Sequence, residues 1–164
     1  MNRSQQMAFS LVELLVAVTL LSLVLTLAIP SFGRVLENSR QQASRDLLIT
    51  HVNQTRTLAI TENRSYQLCG SVDGLTCDGG WTKYWLIVRM GEEPRVIRQQ
   101  QAPTKDFCWK GFSGNSIFFN SNGNSRSSNG RFSGCSTNDN NWRLTLSRQG
   151  RLRQESGKTL DTCC

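Results

Sequence analysis

The apolar residues of the chain follow two successive patterns, and each pattern predicts one element. Residues 9–29, FSLVELLVAVTLLSLVLTLAI, form a continuous apolar run whose single charge is Glu13. About twenty apolar residues suffice for a helix to cross a bilayer. We therefore predict a membrane-spanning helix over residues 9–30, in which the ionisable Glu13 is costly and marks a functional position.

The second pattern begins after Pro30, where apolar residues recur every three or four positions as far as Ala59. Charged residues occupy the positions between them. This spacing places the apolar side chains on one face of a helix. We predict an amphipathic stem helix over residues 31–63, continuous with the apolar helix before it apart from a kink at Pro30.

From residue 64 onward, short apolar and aromatic segments alternate with turn signals such as DGG and GEEP, which predicts strands. The predicted strands are 65–69, 83–90, 95–100, 116–120 and 142–147. Residues 120–141 consist mostly of Ser, Asn and Gly, so we predict a long loop there and favour disorder over a functional loop. The fold class is α+β, with a long N-terminal helix packed on an antiparallel, β-rich head over residues 64–164.

The cysteines of the head predict disulfides formed in an oxidising compartment. They are Cys69, Cys77, Cys108, Cys135, Cys163 and Cys164. A metal site fits less well, because the chain has no CxxC motif and its one histidine, His51, lies in the predicted stem. Cys69 and Cys77 are close enough to close a hairpin-sized loop, so we pair them first. Because adjacent cysteines rarely bond each other, Cys163 and Cys164 are expected to bond Cys108 and Cys135, in an order left open.

The formal net charge of +7 is concentrated in the last part of the chain. Residues 34–94 carry seven basic and seven acidic side chains, whereas residues 95–164 carry eleven basic and four acidic ones. A localised cationic surface attracts polyanions such as nucleic acid or an acidic partner. A scattered excess is better interpreted as a solvated, solubilising surface.

The C-terminal segment WRLTLSRQGRLRQ predicts a hairpin that turns at Gln149–Gly150, where glycine supplies the positive φ that such a turn needs. On the returning strand Arg151 and Arg153 are two residues apart, so both point to one face at about 6.6 Å spacing. Leu152 points the other way, into the head. Two guanidinium groups at this spacing suit a phosphate backbone, and such contacts carry no sequence information.

The N-terminus carries a family resemblance. The stretch MAFSLVELLVAVTLLSLVLTLAIPSF, preceded by a short polar leader, resembles the class III signal of type IV pilins and pseudopilins. The resemblance implies that residues 1–8 are a leader, that prepilin peptidase cuts between Ala8 and Phe9, and that Phe9 is then N-methylated. It also implies that Glu13 is the assembly glutamate and that residues 9–30 enter a filament core. Alanine stands at position 8, where the family usually has glycine.

The head narrows the resemblance to one group of the family. QTRTLAITENRSYQLC, IFFNSNG and the C-terminal GRLR are similar to segments of the GspH/FimT minor pilins, with GRLR matching the GRxR motif of the FimT branch. This resemblance implies sequence-nonspecific DNA binding during natural transformation. The DNA-binding residues it implies, together with the neighbouring cations, are Gly150, Arg151, Arg153, Arg148, Arg143 and Lys158. The implied partners are DNA, the major and other minor pilins, prepilin peptidase and, before assembly, the inner membrane.

Other interpretations stay open at this point. The chain also fits a structural minor pilin of the FimU type that assists pilus assembly, or a type II secretion pseudopilin, neither of which needs to bind DNA. Arg151 and Arg153 would then be a solvated strand face or a patch that docks onto an acidic pilin. The tryptophans are predicted as core residues rather than stacking platforms: Trp81, Trp85, Trp109 and Trp142.

An enzyme is not expected. His51 lies in the predicted stem, Glu92 and Glu93 are adjacent loop acids, and the sequence contains neither a glycine-rich phosphate loop nor metal-ligand spacing. We expect no cofactor. The resemblance implies a single-pass inner-membrane protein of a Gram-negative bacterium, with its head in the periplasm, that assembles into a pilus at the cell surface.

Overall fold

A computed structural model of the 164-residue chain describes residues 10–125, 127–134 and 141–156. The chain divides into two compact units, Met1–Leu36 and Glu37–Cys164. Six of the residues singled out above lie outside the described ranges: Ala8, Phe9, Cys135, Lys158, Cys163 and Cys164.

A single helix, α1, runs from Leu11 to Thr61, with Glu13 in its first turn. In the first unit its apolar side chains from Leu11 to Leu25 are exposed. Within the described part of the chain, no helix combines the length and the apolar character needed to cross a membrane. The membrane span over residues 9–30 stays a prediction.

The amphipathic pattern predicted for the stem is confirmed in the second unit, where one stripe of α1 is buried. Its buried members, each three or four residues after the last, are Gln41, Ser44, Leu48, Val52, Thr55 and Ala59. A stripe with this spacing occupies one side of a helix. This stripe is the surface on which the head packs.

The head consists of eight strands that pair exclusively with antiparallel neighbours among the described residues. They are β1 (Tyr66–Ser71), β2 (Tyr84–Arg89), β3 (Arg95–Gln101), β4 (Phe107–Gly111), β5 (Ser116–Phe119), β6 (Gly130–Gly134), β7 (Trp142–Leu146) and β8 (Leu152–Ser156). The first sheet has the order β3-β2-β1-β5, and the second has the order β4-β6-β7-β8. The predicted α+β class, a helix packed on antiparallel sheet, is confirmed.

One hydrophobic core joins the stem to both sheets. Its fully buried side chains include Leu48, Val52, Leu68, Trp85, Ile117, Phe119, Phe132 and Leu144. All four tryptophans are at most 8% exposed, which confirms that they are core residues. Each indole N–H also donates a hydrogen bond. Trp81 donates to the Asn115 carbonyl and Trp85 to the Trp81 carbonyl. Trp109 donates to the Gly114 carbonyl and Trp142 to Gln41 Oε1.

The prediction of one long loop over residues 120–141 is wrong. Gly130–Gly134 is strand β6, and it pairs with both β4 and β7 in the second sheet. The segment GRFSG has a single large apolar residue, Phe132, which is fully buried in the core. Ordered turns precede the strand, where Ser128 Oγ donates to the Phe118 carbonyl and accepts from the Phe118 N–H. Tertiary pairing thus orders a segment whose composition is that of a loop.

The first predicted disulfide is confirmed. Cys69 and Cys77 are bonded, with their Cα atoms 5.6 Å apart. Cys108 is disulfide-bonded as well. The predicted bonds of Cys108 and Cys135 to Cys163 and Cys164 involve residues outside the described ranges and stay a prediction, with their order open.

Candidate nucleic-acid interface

The predicted turn at Gln149–Gly150 connects β7 to β8. The Gly150 N–H donates to the Ser147 carbonyl at 2.9 Å, and the Ser147 N–H donates to the Arg151 carbonyl at 2.9 Å. Gly150 has a φ of 75° and is buried, so the turn uses the left-handed conformation that glycine adopts without strain. The turn therefore lies where the sequence predicts it, but the returning strand β8 begins at Leu152, so Arg151 belongs to the turn and not to the strand as predicted.

Two other parts of the chain hold this turn in place. From the stem, Arg56 Nε donates to the Gly123 carbonyl at 3.0 Å, and its Nη2 donates to the Gln149 carbonyl at 3.2 Å. From the turn after β5, the Ser125 N–H donates to the Arg148 carbonyl and Ser125 Oγ to the Ser147 carbonyl, both at 3.0 Å. The cationic turn is thus fixed to the stem helix rather than free.

The register of β8 sets the direction of its side chains. Leu152 pairs with Leu146, and Arg153 pairs with Thr145. Because opposed residues of antiparallel strands share a face, Leu152 lies with the buried Leu146 and packs on the core. The Arg153 side chain is 83% exposed on the outer face, and Arg151 is exposed as well.

Glu155 is the carboxylate beside this cationic edge. Its Oε1 lies 3.6 Å from Arg153 Nε, and its Oε2 lies 3.9 Å from Arg143 Nη1. The Arg143 side chain is only 17% exposed, and its buried Nε has no hydrogen-bond partner. Arg143 is therefore a partly buried counter-charge to Glu155 and not part of the exposed surface.

The structure brings together three of the predicted site cations at one exposed end of the second sheet: Arg148, Arg151 and Arg153. Arg148 and Arg151 form no ion pair within the described ranges. The functional residue that the sequence reasoning missed is Arg56, which anchors the turn. In the sequence, this anchoring role is indicated only by the position of Arg56, a charged residue of the stem within one helical turn of the apolar Val52 and Ala59.

The one histidine is a packing residue in this structure. His51 is 3% exposed, its Nδ1 donates to the Leu47 carbonyl at 2.9 Å, and its ring stands edge-on to Trp85. Burial lowers the pKa of His51, and the positive charge of Arg98 lowers it further, against the opposing effect of the Leu47 hydrogen bond. The enclosed ring of His51 therefore belongs to the packing between the stem and β2.

Comparison with known families gives two matches. Residues 45–150, more than half of the chain, match the family model described as Type II transport protein GspH. Residues 3–29 match the Prokaryotic N-terminal methylation motif. Comparison with curated proteins finds no significant sequence match.

Solved structures share the fold. The type IV minor pilin FimU of Pseudomonas aeruginosa is 19% identical at a TM-score of 0.58, over 73% of this chain and 90% of FimU. The minor pseudopilin EpsH from the type II secretion system of Vibrio cholerae is 12% identical at a TM-score of 0.52, over 77% of this chain and 99% of EpsH. At these identities the likeness concerns the fold.

Proposed function

Because the chain belongs to the GspH family, within the GspH/FimT group of type IV minor pilins, we propose that it binds DNA through the β7–β8 edge and assists DNA uptake in natural transformation. The observation that carries the proposal is the exposure of Arg151, at the end of a turn anchored by hydrogen bonds, and of Arg153, on the outer face of β8. A guanidinium group binds phosphate in a bidentate manner and stays charged at any physiological pH. Because these contacts are to phosphate, binding is independent of sequence and weakens with salt.

We also propose how the subunit is processed and assembled. Cleavage between Ala8 and Phe9 followed by methylation of Phe9 yields a subunit that is held in the inner membrane by residues 9–30 until it assembles. The family match at residues 3–29 supports this processing. Glu13 then serves assembly by pairing with the terminal amine of a neighbouring subunit.

DNA binding is tested on the full chain in a non-ionic detergent, by fluorescence anisotropy with a labelled DNA strand of arbitrary sequence at low salt. We expect Arg151→Ala/Arg153→Ala to weaken binding by about tenfold or more, because each charged contact to phosphate contributes about 1.5–3 kcal/mol before screening. The matched control is Arg64→Ala/Lys83→Ala, which removes the same charge from exposed positions outside the second sheet. We expect that control to weaken binding by about threefold or less.

A second candidate function is structural. The family description refers to type II transport, which favours a pseudopilin or an assembly subunit that contacts only other pilins. If the wild-type chain does not bind DNA at low salt, the GRLR edge is a docking strand and this candidate replaces the first.

Glu155, the carboxylate at this edge, gives a prediction in which DNA affinity rises instead of falling. We expect Glu155→Gln to raise DNA affinity about threefold, because it removes a negative charge within 4 Å of Arg153. The same change is expected to lower the free energy of unfolding by about 1 kcal/mol, because the partly buried Arg143 loses its counter-charge. Anisotropy and urea unfolding measure the two effects. Glu92→Gln, an exposed loop position, is the control, and equal affinity gains in both variants would count against a local role for Glu155.

A further inference from the structure

We propose that the DNA-binding edge continues across the outer face of the second sheet as a track for single-stranded DNA that ends on the exposed ring of Phe112. This inference rests on the proposed function and names the form of DNA that the site takes. Three features carry it: a row of cations set by strand register, a single carboxylate among the described outward positions of the same face, and the exposed aromatic ring at the end of the row.

The row follows from the pairing of the strands. Lys110 of β4 is opposite Arg131 of β6, Arg131 is opposite Thr145 of β7, and Thr145 is opposite Arg153 of β8. Opposed residues of antiparallel strands lie on the same face, and neighbouring strands are about 4.8 Å apart. The row from Lys110 to Arg153 is therefore about 14 Å long.

The burial pattern shows that this row faces outward. Lys110 and Arg131 are exposed. Their neighbours Trp109 and Phe132 are directed into the core, at 8% and 0% exposure. The cations thus stand on the opposite side of the sheet from the stem, in the same row as Arg153.

The described outward positions of this face carry mostly positive charge. Among its described outward positions, the exposed cations are Lys110, Arg131 and Arg153, the partly buried cation is Arg143, and Glu155 is the acid. Glu155 is already engaged by Arg143 and Arg153. Lys110 and Arg131 form no ion pair within the described ranges. An extended polyanion fits this arrangement, because the unpaired Lys110 and Arg131 and the exposed Arg153 lie in one row that can neutralise successive phosphates.

The exposed ring of Phe112, at the end of the row, favours single-stranded over duplex DNA as the ligand. Phe112 follows β4 directly, is 79% exposed, and is held by its N–H, which donates to the Asn129 carbonyl at 2.9 Å. With Lys110, Arg131 and Thr145 it lines a surface groove of about 310 Å³. An unstacked base contributes about 1–3 kcal/mol when it stacks on an aromatic ring. The bases of a duplex are stacked inside the helix, so only a single strand gains from Phe112.

A single DNA strand can contact the cations with its phosphates and the ring with a base, because Lys110, Arg131 and Phe112 line the same groove. The groove is lined by residues of β4, β6 and β7, with a cation on β4, a cation on β6 and the ring of Phe112 just beyond β4, so one nucleotide places its phosphate on Lys110 or Arg131 while its base reaches Phe112. The tryptophans offer no competing surface, because all four are buried. An acidic peptide would use the cations without the ring, and the test below separates the two ligands.

The test measures binding of a labelled oligo-deoxythymidine and of a labelled blunt-ended duplex to the full chain in a non-ionic detergent. We expect Phe112→Ala to weaken binding of the single strand about tenfold and to change duplex binding by less than about twofold. Phe112→Trp retains or improves single-strand binding, because the larger ring stacks at least as well. Lys110→Ala/Arg131→Ala weakens binding of the single strand by about fivefold or more. The melting temperature of each variant is measured as well, and an exposed ring is expected to leave it unchanged.

The outcomes separate this inference from the function on which it rests. If the wild-type chain binds neither DNA, the proposed function fails and the track fails with it. If the Arg151→Ala/Arg153→Ala variant loses DNA binding while Phe112→Ala binds both forms as the wild type does, the function stands and the track is overturned. Displacement of oligo-deoxythymidine by polyglutamate with equal efficiency from the wild type and Phe112→Ala would likewise overturn it, in favour of an acidic protein partner.

Discussion

Replacing Gly150 with valine is expected to lower the free energy of unfolding of the head by about 3 kcal/mol. Gly150 has a φ of 75°, and a left-handed conformation costs a residue with a Cβ atom about 1–2 kcal/mol. A Cβ at this position would also collide with the Gly123 carbonyl oxygen and come within 3.1 Å of Arg56 Nε and Phe119 Cε1. Overpacking of this kind costs a further 1–3 kcal/mol or so.

Two other glycines supply matched controls for this prediction. Gly114 also has a positive φ, of 114°, but a Cβ there meets nothing within 4 Å. Gly91 has neither the positive φ nor a close neighbour. In urea unfolding of the full chain, the loss should be largest for Gly150→Val, intermediate for Gly114→Val and smallest for Gly91→Val. Equal losses at Gly150 and Gly114 would mean that close packing against Gly123 contributes nothing.

Removal of the Arg56 side chain is expected to cost about 2 kcal/mol of unfolding free energy and to weaken DNA binding. Its guanidinium group donates to the Gly123 and Gln149 carbonyls at 3.0 and 3.2 Å. Hydrogen bonds from a charged group contribute about 1.5–3 kcal/mol each, and one of these two is solvent-exposed, which reduces the sum. Without them the turn loses its link to the stem, so Arg151 and Arg153 are less well positioned.

The Arg56 prediction is checked by urea unfolding and anisotropy on the same samples. Arg64→Ala is the control, because Arg64 is an exposed arginine just beyond the same helix. Arg56→Lys keeps the charge but loses the planar fork, so we expect it to recover less than half of the lost stability. An Arg56→Ala variant that unfolds at the wild-type urea concentration would contradict the role of Arg56 as an anchor.

The elements with strong periodic patterns could be predicted from the sequence. The stem helix follows from its three- and four-residue apolar spacing, and six strands follow from their apolar runs and turn signals, including the hairpin at Gln149–Gly150. Strands β4 and β6 were missed. Each is a five-residue segment with glycine at one end or both, and each is ordered by pairing with segments distant in the chain.

Some features of the candidate site could likewise be predicted from the sequence, whereas others could not. The opposite directions of Leu152 and Arg153 follow from the alternation of a strand, which is a local property. The burial of Arg143, the anchor at Arg56 and the alignment of Lys110 with Arg131 depend on nonlocal pairing. No local pattern encodes these contacts. The row across the second sheet is therefore visible only once β4 and β6 are known to be strands.

The most direct test of DNA binding by the GRLR edge is the salt dependence of affinity for single-stranded DNA. The slope of log K against log salt counts the phosphates neutralised, at about 0.7 per contact for a single strand. If Arg151 and Arg153 each bind a phosphate, Arg151→Ala/Arg153→Ala should reduce the magnitude of the slope by about 1.4. The control Arg64→Ala/Lys83→Ala should leave the slope unchanged. Parallel lines for the wild type and the Arg151→Ala/Arg153→Ala variant would contradict the claim that these two arginines contact the DNA backbone.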